Sequence, residues 1–484
     1  MKSVYSAKKW VLIAISVFLM FFGKFLPPVM GLSQDAMQIF CIFIGSMLLW
    51  LFIDTVWPSI LGMIALCFSP LYTYSSVISG SWGNWIVAFL IFSNIVTGVL
   101  TKSGFLKRVA IWFITRPVAK KSPWLFLTLL FLAPMVIGAF MSPIPTFIVF
   151  LPIMEQIYAE LGYKKGDRFP AVCTLGLLAA SSFSTATTPI AHTFPILAMS
   201  LFQQDSGTAI DFLSYTISGV SFGVIALVVM MLLFRFVFKP EMSRLRELDT
   251  AAIRNTTQKM TVTEKVALAD FALVVLLWMA PGVLKYIAPG VANYINSFGT
   301  PIPAMLGTVL LFFIKADDKP ILNVKEVMGN SIPWGAIILV ADTMIISSAL
   351  TNKDAGITAA FISLVEPLTA HMSGTLLAAV TILLTAILTN FISNTVAVTM
   401  FYSISLPIVF ANPQLGINPA ALASMIGAAS CIAMATPPST AHAALASGTG
   451  WLDTKTMLTH GMLISIAAGL ILAFIGYPIA AALM

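Results

Sequence analysis

The chain has 484 residues, 59% of them hydrophobic and 9% charged, with a mean hydropathy of +0.96. Soluble domains carry roughly 25% charged residues, so the composition excludes a soluble globular protein, and repeated apolar runs of about 20 residues define a polytopic membrane protein. The net charge of +7 comes from basic residues in short connections between apolar runs, which makes it a record of topology; no nucleic-acid partner is expected.

In chain order, membrane crossings are expected near 10–29, 36–53, 57–72, 84–100, 169–203, 212–235, 266–284, 301–315, 333–351, 417–450 and 457–482. The lysines ahead of the first run resemble a signal peptide. No small-residue cleavage site follows, and Pro27-Pro28 ends the run, so the first helix is expected to be retained. Two further apolar segments, 124–161 and 373–411, are interrupted at their centres by "MSPIPT" (141–146) and "SNT" (393–395). Both read as re-entrant hairpins that enter and leave on one side. The fold expected is therefore all-α, with about 11 transmembrane helices plus two re-entrant hairpins.

The longest hydrophilic stretch, 239–265, reads as a cytoplasmic linker. With the N-terminus inside, the cytoplasmic connections hold 23 of the 26 Lys and Arg residues, leaving only Lys24, Lys285 and Lys353 elsewhere. This places the ends of the first hairpin inside, those of the second hairpin outside, and the C-terminus outside. The four cysteines (Cys41, Cys67, Cys173, Cys431) lie in apolar stretches without metal-ligand spacing, which argues against a disulfide framework or a zinc site.

The two halves resemble one another. "SWGNWIVAFLIFSNIVTGVLTKSGF" (81–105) parallels "SIPWGAIILVADTMIISSALTNKDAG" (331–356), and "TATTPIAH" (185–192) parallels "MATPPSTAH" (434–442). Ser142 to His192 spans 50 positions and Ser393 to His442 spans 49. With opposite hairpin orientation this is an inverted-topology repeat, the arrangement of secondary transporters whose sites lie near the midplane. The expected units are an N-terminal helix in 1–35, a first repeat in 36–238, the linker, and a second repeat in 266–484.

Each half carries a hairpin tip and a later helix broken by proline, at Thr187-Thr188-Pro189 and Thr436-Pro437-Pro438. Proline removes a donor and leaves backbone groups free. Exposed helix N-termini attract anions, and freed carbonyls suit cations. Hydroxyls and the Asn394 amide can donate to carboxylate oxygens. Four converging breaks could thus bind an anion without a buried lysine or arginine.

The Ser-Asn-Thr tip, the Thr-Pro-Pro break, the "LPI" after each hairpin (151–153, 406–408) and the repeat together resemble the divalent anion:sodium symporter (DASS, INDY-like) family over essentially the whole chain. That resemblance implies a homodimeric carrier of dicarboxylates or tricarboxylates such as succinate, malate, 2-oxoglutarate and citrate in a bacterial plasma membrane. It implies substrate contacts at Ser393, Asn394 and Thr395, with Thr436 and Pro437 facing them. On the other side the corresponding positions are Ser142, Pro143, Ile144 and Thr146, with Thr188 and Pro189.

This first tip departs from the family, because Ser142-Pro143-Ile144 stands where Ser-Asn-Thr is usual, and Thr187 replaces an expected glycine. Fewer side-chain oxygens weaken a sodium site there. No metal site is assigned; Asn394 and Ala435 are the positions left for sodium, and no cofactor is expected. His192 and His442, three or four residues past each proline break, are candidates for charge compensation or gating. The alternative reading is that they simply bond between helices. Asp342 is expected to pair with a polar neighbour or relay a proton, Asp270 and Glu155 to be solvated or paired, and His371 and His460 to be interfacial.

The leading expectation is an exchanger of malate-, succinate-, fumarate- or 2-oxoglutarate-type dicarboxylates working by alternating access, with one half-scaffold fixed and the hairpins moving. The alternative is a sodium-coupled dicarboxylate or citrate symporter using the same site. A channel needs a polar lining along whole helices, and an intramembrane enzyme needs a nucleophile pair or catalytic carboxylates; the sequence offers neither.

Overall fold

The computed structural model describes residues 5–29, 31–190, 192–247, 259–316, 319–330, 332–352, 354–357, 359–360 and 372–484. Lys353, His371 and the middle of the expected linker, 248–258, lie outside the described residues. The first half runs α1 (Ala7–Phe22), α2 (Gln34–Phe52), α3 (Val56–Cys67), α4 (Tyr74–Gly80), α5 (Trp85–Lys102), α6 (Phe105–Ile114), α7 (Pro123–Gly138), α8 (Pro143–Glu160), α9 (Arg168–Thr187), α10 (Thr193–Ser206) and α11 (Phe212–Leu233). The second runs α12 (Val262–Leu284), α13 (Pro289–Ser297), α14 (Ile302–Phe313), α15 (Val324–Asn330), α16 (Trp334–Thr351), α17 (Gly374–Leu388), α18 (Asn394–Ala411), α19 (Pro419–Ala429), α20 (Ala441–Gly448) and a final span, α21 (Thr454–Leu483). A two-residue strand pair, Lys315–Ala316 with Lys319–Pro320, follows α14.

Among the described residues, eight helices are long and apolar enough to cross a membrane. α13 and α14 pass that test only together and meet at 69°. Several of the expected crossings, among them 10–29, 57–72 and 417–450, are shorter or more broken than the apolar runs suggest. α1 ends at Phe22 and yields to a three-residue turn, Gly23–Phe25. α3 stops at Cys67, just before Ser69-Pro70, where the residue ahead of proline is pushed out of helical geometry. The run 417–450 is parted into α19 and α20 by eleven residues, 430–440.

Polar caps set where many of the long helices begin. Ser33 accepts the Ala36 N–H, Asn84 that of Ile86, and Asp211 that of Leu213; Thr261 and Glu264 form a reciprocal capping box. Each satisfies donors that lipid could not. Next to that box, Arg108 of α6 holds Glu264 through two N–H···O bonds of 2.9 Å, so α6 is tied to the start of α12.

The same order of elements occurs twice: a long apolar helix (α5, α16), a helix pair parted by a short gap (α7 and α8, α17 and α18), then a broken helix (α9 and α10, α19 and α20). The copies interlock. α9, whose spanning window is wholly buried, packs on α20, while α10 packs on α19 and α18. A second apolar cluster, separate from the main core, joins α1, α2 and α3 to α16.

Two acidic residues differ from expectation. Asp342 on α16 is fully buried, and neither oxygen has a hydrogen-bond partner. It lies against α3, where a Cβ on Gly62 would come within 2.6 Å of its Oδ2. Asp270 on α12 is likewise buried and unpartnered, facing Gly307 of α14 at 3.2 Å from a built Cβ. The two glycines occupy matching places in "PSILG" (58–62) and "PAMLG" (303–307), so each carboxyl uses the space that a missing side chain leaves. Glu155 is paired as expected, accepting the Trp451 indole N–H at 3.1 Å. His460 is half-buried against the Phe238 ring, with centroids 4.3 Å apart.

Candidate functional site

The first tip lies between Gly138 and Pro143. Gly138 is pressed so closely on the Ser184 hydroxyl that a Cβ there has no room. Two side chains from the first break hold this tip: Thr188 Oγ1 donates to the Ala139 carbonyl, and His192 Nε2 donates to the Gly138 carbonyl at 2.8 Å. Because a carbonyl only accepts, His192 carries its proton on Nε2. Ser142 and Pro143 are half-buried, Ile144 is exposed, and Thr146 is buried with its hydroxyl on the Ser142 carbonyl at 3.1 Å. Pro189 is buried in the break.

The second tip docks on the second break through Asn390. Its Oδ1 accepts the N–H groups of Met434 (2.9 Å) and Ala435 (2.8 Å), and its Nδ2 donates to the carbonyls of Ala386 (2.8 Å) and Ile432 (3.3 Å). Thr436 Oγ1 donates to the Asn390 carbonyl at 2.5 Å, and Thr389 Oγ1 to that of Ser430 at 2.9 Å. Ser465 from α21 adds bonds to Asn390 Oδ1 and the Ile432 carbonyl. Around this frame Ser393 and Pro437 are half-buried, and Asn394, Thr395 and Ala435 are buried.

The breaks also meet each other. Ser182 of α9 donates to the Ala433 carbonyl at 3.3 Å and sits 3.2 Å from His442 Nε2. Phe147 of α8 packs on the His442 ring at 6.2 Å between centroids. His442 therefore joins the second break to the first half, whereas His192 holds its own half's tip. No hydrogen bond among the described residues links Ser142 to Ser393.

Three helices begin here without a side-chain capping bond, unlike α2, α5, α11 and α12. The N-cap residues Ser142 of α8, His192 of α10 and Ser393 of α18 make no side-chain cap bond. Uncapped N–H groups and the helix dipole favour an anion. The two tips are unequal, because Pro143 and Pro145 remove two donors from the first turn of α8, while α18 keeps all of its own. Asn394 Oδ1 is buried and has no hydrogen-bond partner among the described residues.

For a cation the setting is sparse. Among the described residues no group of three His, Cys, Asp or Glu side chains could hold a metal ion. The Thr187 carbonyl lies directly under Gly219 of α11.

Sequence reasoning missed Asn390, Thr389, Ser182 and Ser465. The signal present for Asn390 was a polar pair, Thr389-Asn390, inside an apolar run one turn before Ser393.

Broken helices that meet inside an apolar bundle are the architecture of a membrane transporter. A sequence model described as the citrate transporter family, CitMHS, matches residues 39–427, and the chain belongs to that family. It is 24% identical over 360 residues to a sodium-dependent dicarboxylate transporter, SdcS, of Staphylococcus saprophyticus. That match takes in 70% of this chain and 66% of the relative, just under two thirds of its length. The fold is similar to the YdaH transporter of Alcanivorax borkumensis (TM-score 0.55, 12% identity, 84% of this chain and 87% of the other). It is also similar to Neisseria gonorrhoeae MtrF, described as one of a class of antimetabolite efflux pumps (TM-score 0.56, 12% identity, 97% of both). At that identity these two likenesses concern the fold. The expectation of a polytopic membrane protein of a transporter family, not an enzyme family, is met.

Proposed function

We propose that the protein exchanges small organic dicarboxylates or tricarboxylates across a bacterial plasma membrane by alternating access. The uncapped start of α18 at Ser393-Asn394-Thr395 carries this reading. It is a buried helix N-terminus held in place by Asn390 and offering N–H groups, hydroxyls and an amide to a carboxylate. Thr436 and Pro437 stand at its side, and Ser142, Pro143, Ile144, Thr146, Thr188 and Pro189 form the poorer half of the same site. His192 and His442 would supply compensating charge when a dianion is bound. Membership of a citrate transporter family and the dicarboxylate relative support the substrate class.

In this proposal the repeats are inverted in the membrane, the two helix pairs are re-entrant, and the N-terminus faces inside with the C-terminus outside. The hairpins and broken helices move as one body against arms built from the remaining spans, in an elevator-like motion within a homodimer. The second reading is sodium-coupled symport through the same site. The free Asn394 Oδ1 and the sodium-dependent relative favour it. Replacing external sodium with choline separates the two. Exchange is supported by labelled malate or succinate uptake that persists in choline and requires a dicarboxylate inside the vesicle; uptake abolished in choline favours the symporter.

A further inference from the structure

A cavity of about 890 Å³ opens among the ends of α10, α16 and α18, away from both tips, and its wall includes Gln204, Asp205, Thr351, Asn352 and Phe410. α10 starts at the first break and α18 at the second tip, and both run to this cavity. The cavity and the candidate site therefore lie at opposite ends of the same pair of helices.

At the cavity wall one carboxylate bridges all three helices. Asp205 of α10 accepts the Tyr402 hydroxyl of α18 at 3.0 Å and the Thr351 hydroxyl of α16 at 3.1 Å. Beyond it, buried hydroxyls without partners occur on all three helices: Ser200 on α10, Thr343 and Ser347 on α16, and Ser403 on α18. Thr343, Ser347 and Thr351 follow one another at single-turn spacing, so they form one stripe on α16 that descends from the cavity. Buried polar atoms are normally satisfied, and the unpaired hydroxyls of Thr343 and Ser347 at successive turns of one helix call for an explanation.

We propose that Asp205 is a positioning residue that latches α16 to α10 and α18, and that its release opens the α16 stripe, from Thr351 to Thr343, to a small hydrated anion entering from the cavity. The anion's identity rests on the function proposed above; the latch does not. Closed, the carboxylate takes both hydroxyls and its negative charge sits across the entrance. Open, the stripe of hydroxyls offers a polar lining to an entering solute. A solute that crosses the seam must separate α16 from α10, which breaks the Thr351 bond and the weaker bond from Gln204 Nε2 to the Met344 carbonyl at 3.4 Å.

The test is the labelling rate of Thr343→Cys by a charged methanethiosulfonate in the purified full-length protein, with the half-buried native Cys67 replaced by alanine. Labelling of the parent should be slow, and about tenfold faster in Asp205→Asn and Thr351→Val, the change expected from losing one charge-assisted bond. Thr351→Ser, which restores the hydroxyl, should restore the slow rate; a generally loosened fold would not recover this way. Tyr402→Phe serves as the latch variant if Thr351→Val does not accumulate. Equal rates in parent and latch variants, with a cavity-wall Ser348→Cys reacting freely in all, overturn the proposal. No carboxylate is present during labelling, so this result stands or falls apart from the transport reading.

Discussion

The side-chain oxygen of Asn390 takes the backbone N–H of Ala435 at 2.8 Å, joining the end of α17 to a break 45 residues further on. With the Met434 N–H also bound, one amide holds the second tip against the second break. Asn390→Ala leaves two buried N–H groups unpaired, each costing roughly 1–3 kcal/mol in a dry interior. The thermal midpoint in detergent should fall by several degrees and uptake should drop at least about tenfold. Asn390→Asp keeps the oxygen but loses the donor to Ala386 and Ile432, so it should fall between the two in a melting assay.

His192 serves the first tip by donating to Gly138. Removing it in His192→Ala leaves a buried carbonyl short of a donor, at a cost of about 1–3 kcal/mol. His192→Gln retains an N–H donor. If the histidine acts only by holding the tip, glutamine should recover most of the stability and uptake. Stability regained without uptake would assign the ring a charge-compensating part in transport.

The contact between Gly62 and Asp342 gives a packing test with a built-in reversal. Gly62→Ala places a methyl group 2.6 Å from the Asp342 carboxyl and should destabilise by about 1–3 kcal/mol. Adding Asp342→Ala removes the obstructing atoms, so the double variant should melt above Gly62→Ala alone. Gly307→Ala should be milder, because its Cβ meets the Asp270 carboxyl at 3.2 Å.

Beyond the ends of α10 and α12, Asp211 and Lys285 pair at 3.1 Å. Burial raises the Asp211 carboxyl, but the Ser214 hydroxyl, the Leu213 N–H and Lys285 together bring it below its ordinary value. Its bond to Asp211 chiefly raises the Lys285 ammonium. A lowered carboxyl adds stability above the unfolded carboxylate pKa and loses it as pH falls through the folded value. A raised ammonium adds stability below the unfolded lysine pKa and loses it as pH rises through the folded value. Both groups are partly exposed, so solvent screening limits the pair to about 1 kcal/mol or less. The melting difference between parent and Lys285→Met should therefore be constant from about pH 5 to 9 and shrink outside that window.

The breaks were legible in the sequence because proline and hydroxyl residues at 143–146, 188–189, 393–395 and 436–438 interrupt otherwise apolar runs. Many helix starts were legible through their caps, such as Ser33 and Asn84. The docking of each tip was not. Asn390 and Thr436 are 46 residues apart, and nothing local says that a polar side chain in an apolar run will reach a distant backbone. Ser182 and His442 meet across 260 residues for the same reason. Nor does periodicity tell which neighbour offers a glycine, so the burial of Asp270 and Asp342 could not be read from their helices alone.

In the proposed transport cycle a carboxylate binds at the uncapped start of α18. Counterflow of labelled malate, succinate and citrate in proteoliposomes, comparing the parent with Asn394→Ala at matched protein level, tests this most directly. The parent should exchange at least one of these anions, and the variant should lose about tenfold or more in affinity, the effect of one charge-assisted bond. Parent vesicles that exchange none of them, or an Asn394→Ala protein with unchanged affinity, would contradict this assignment.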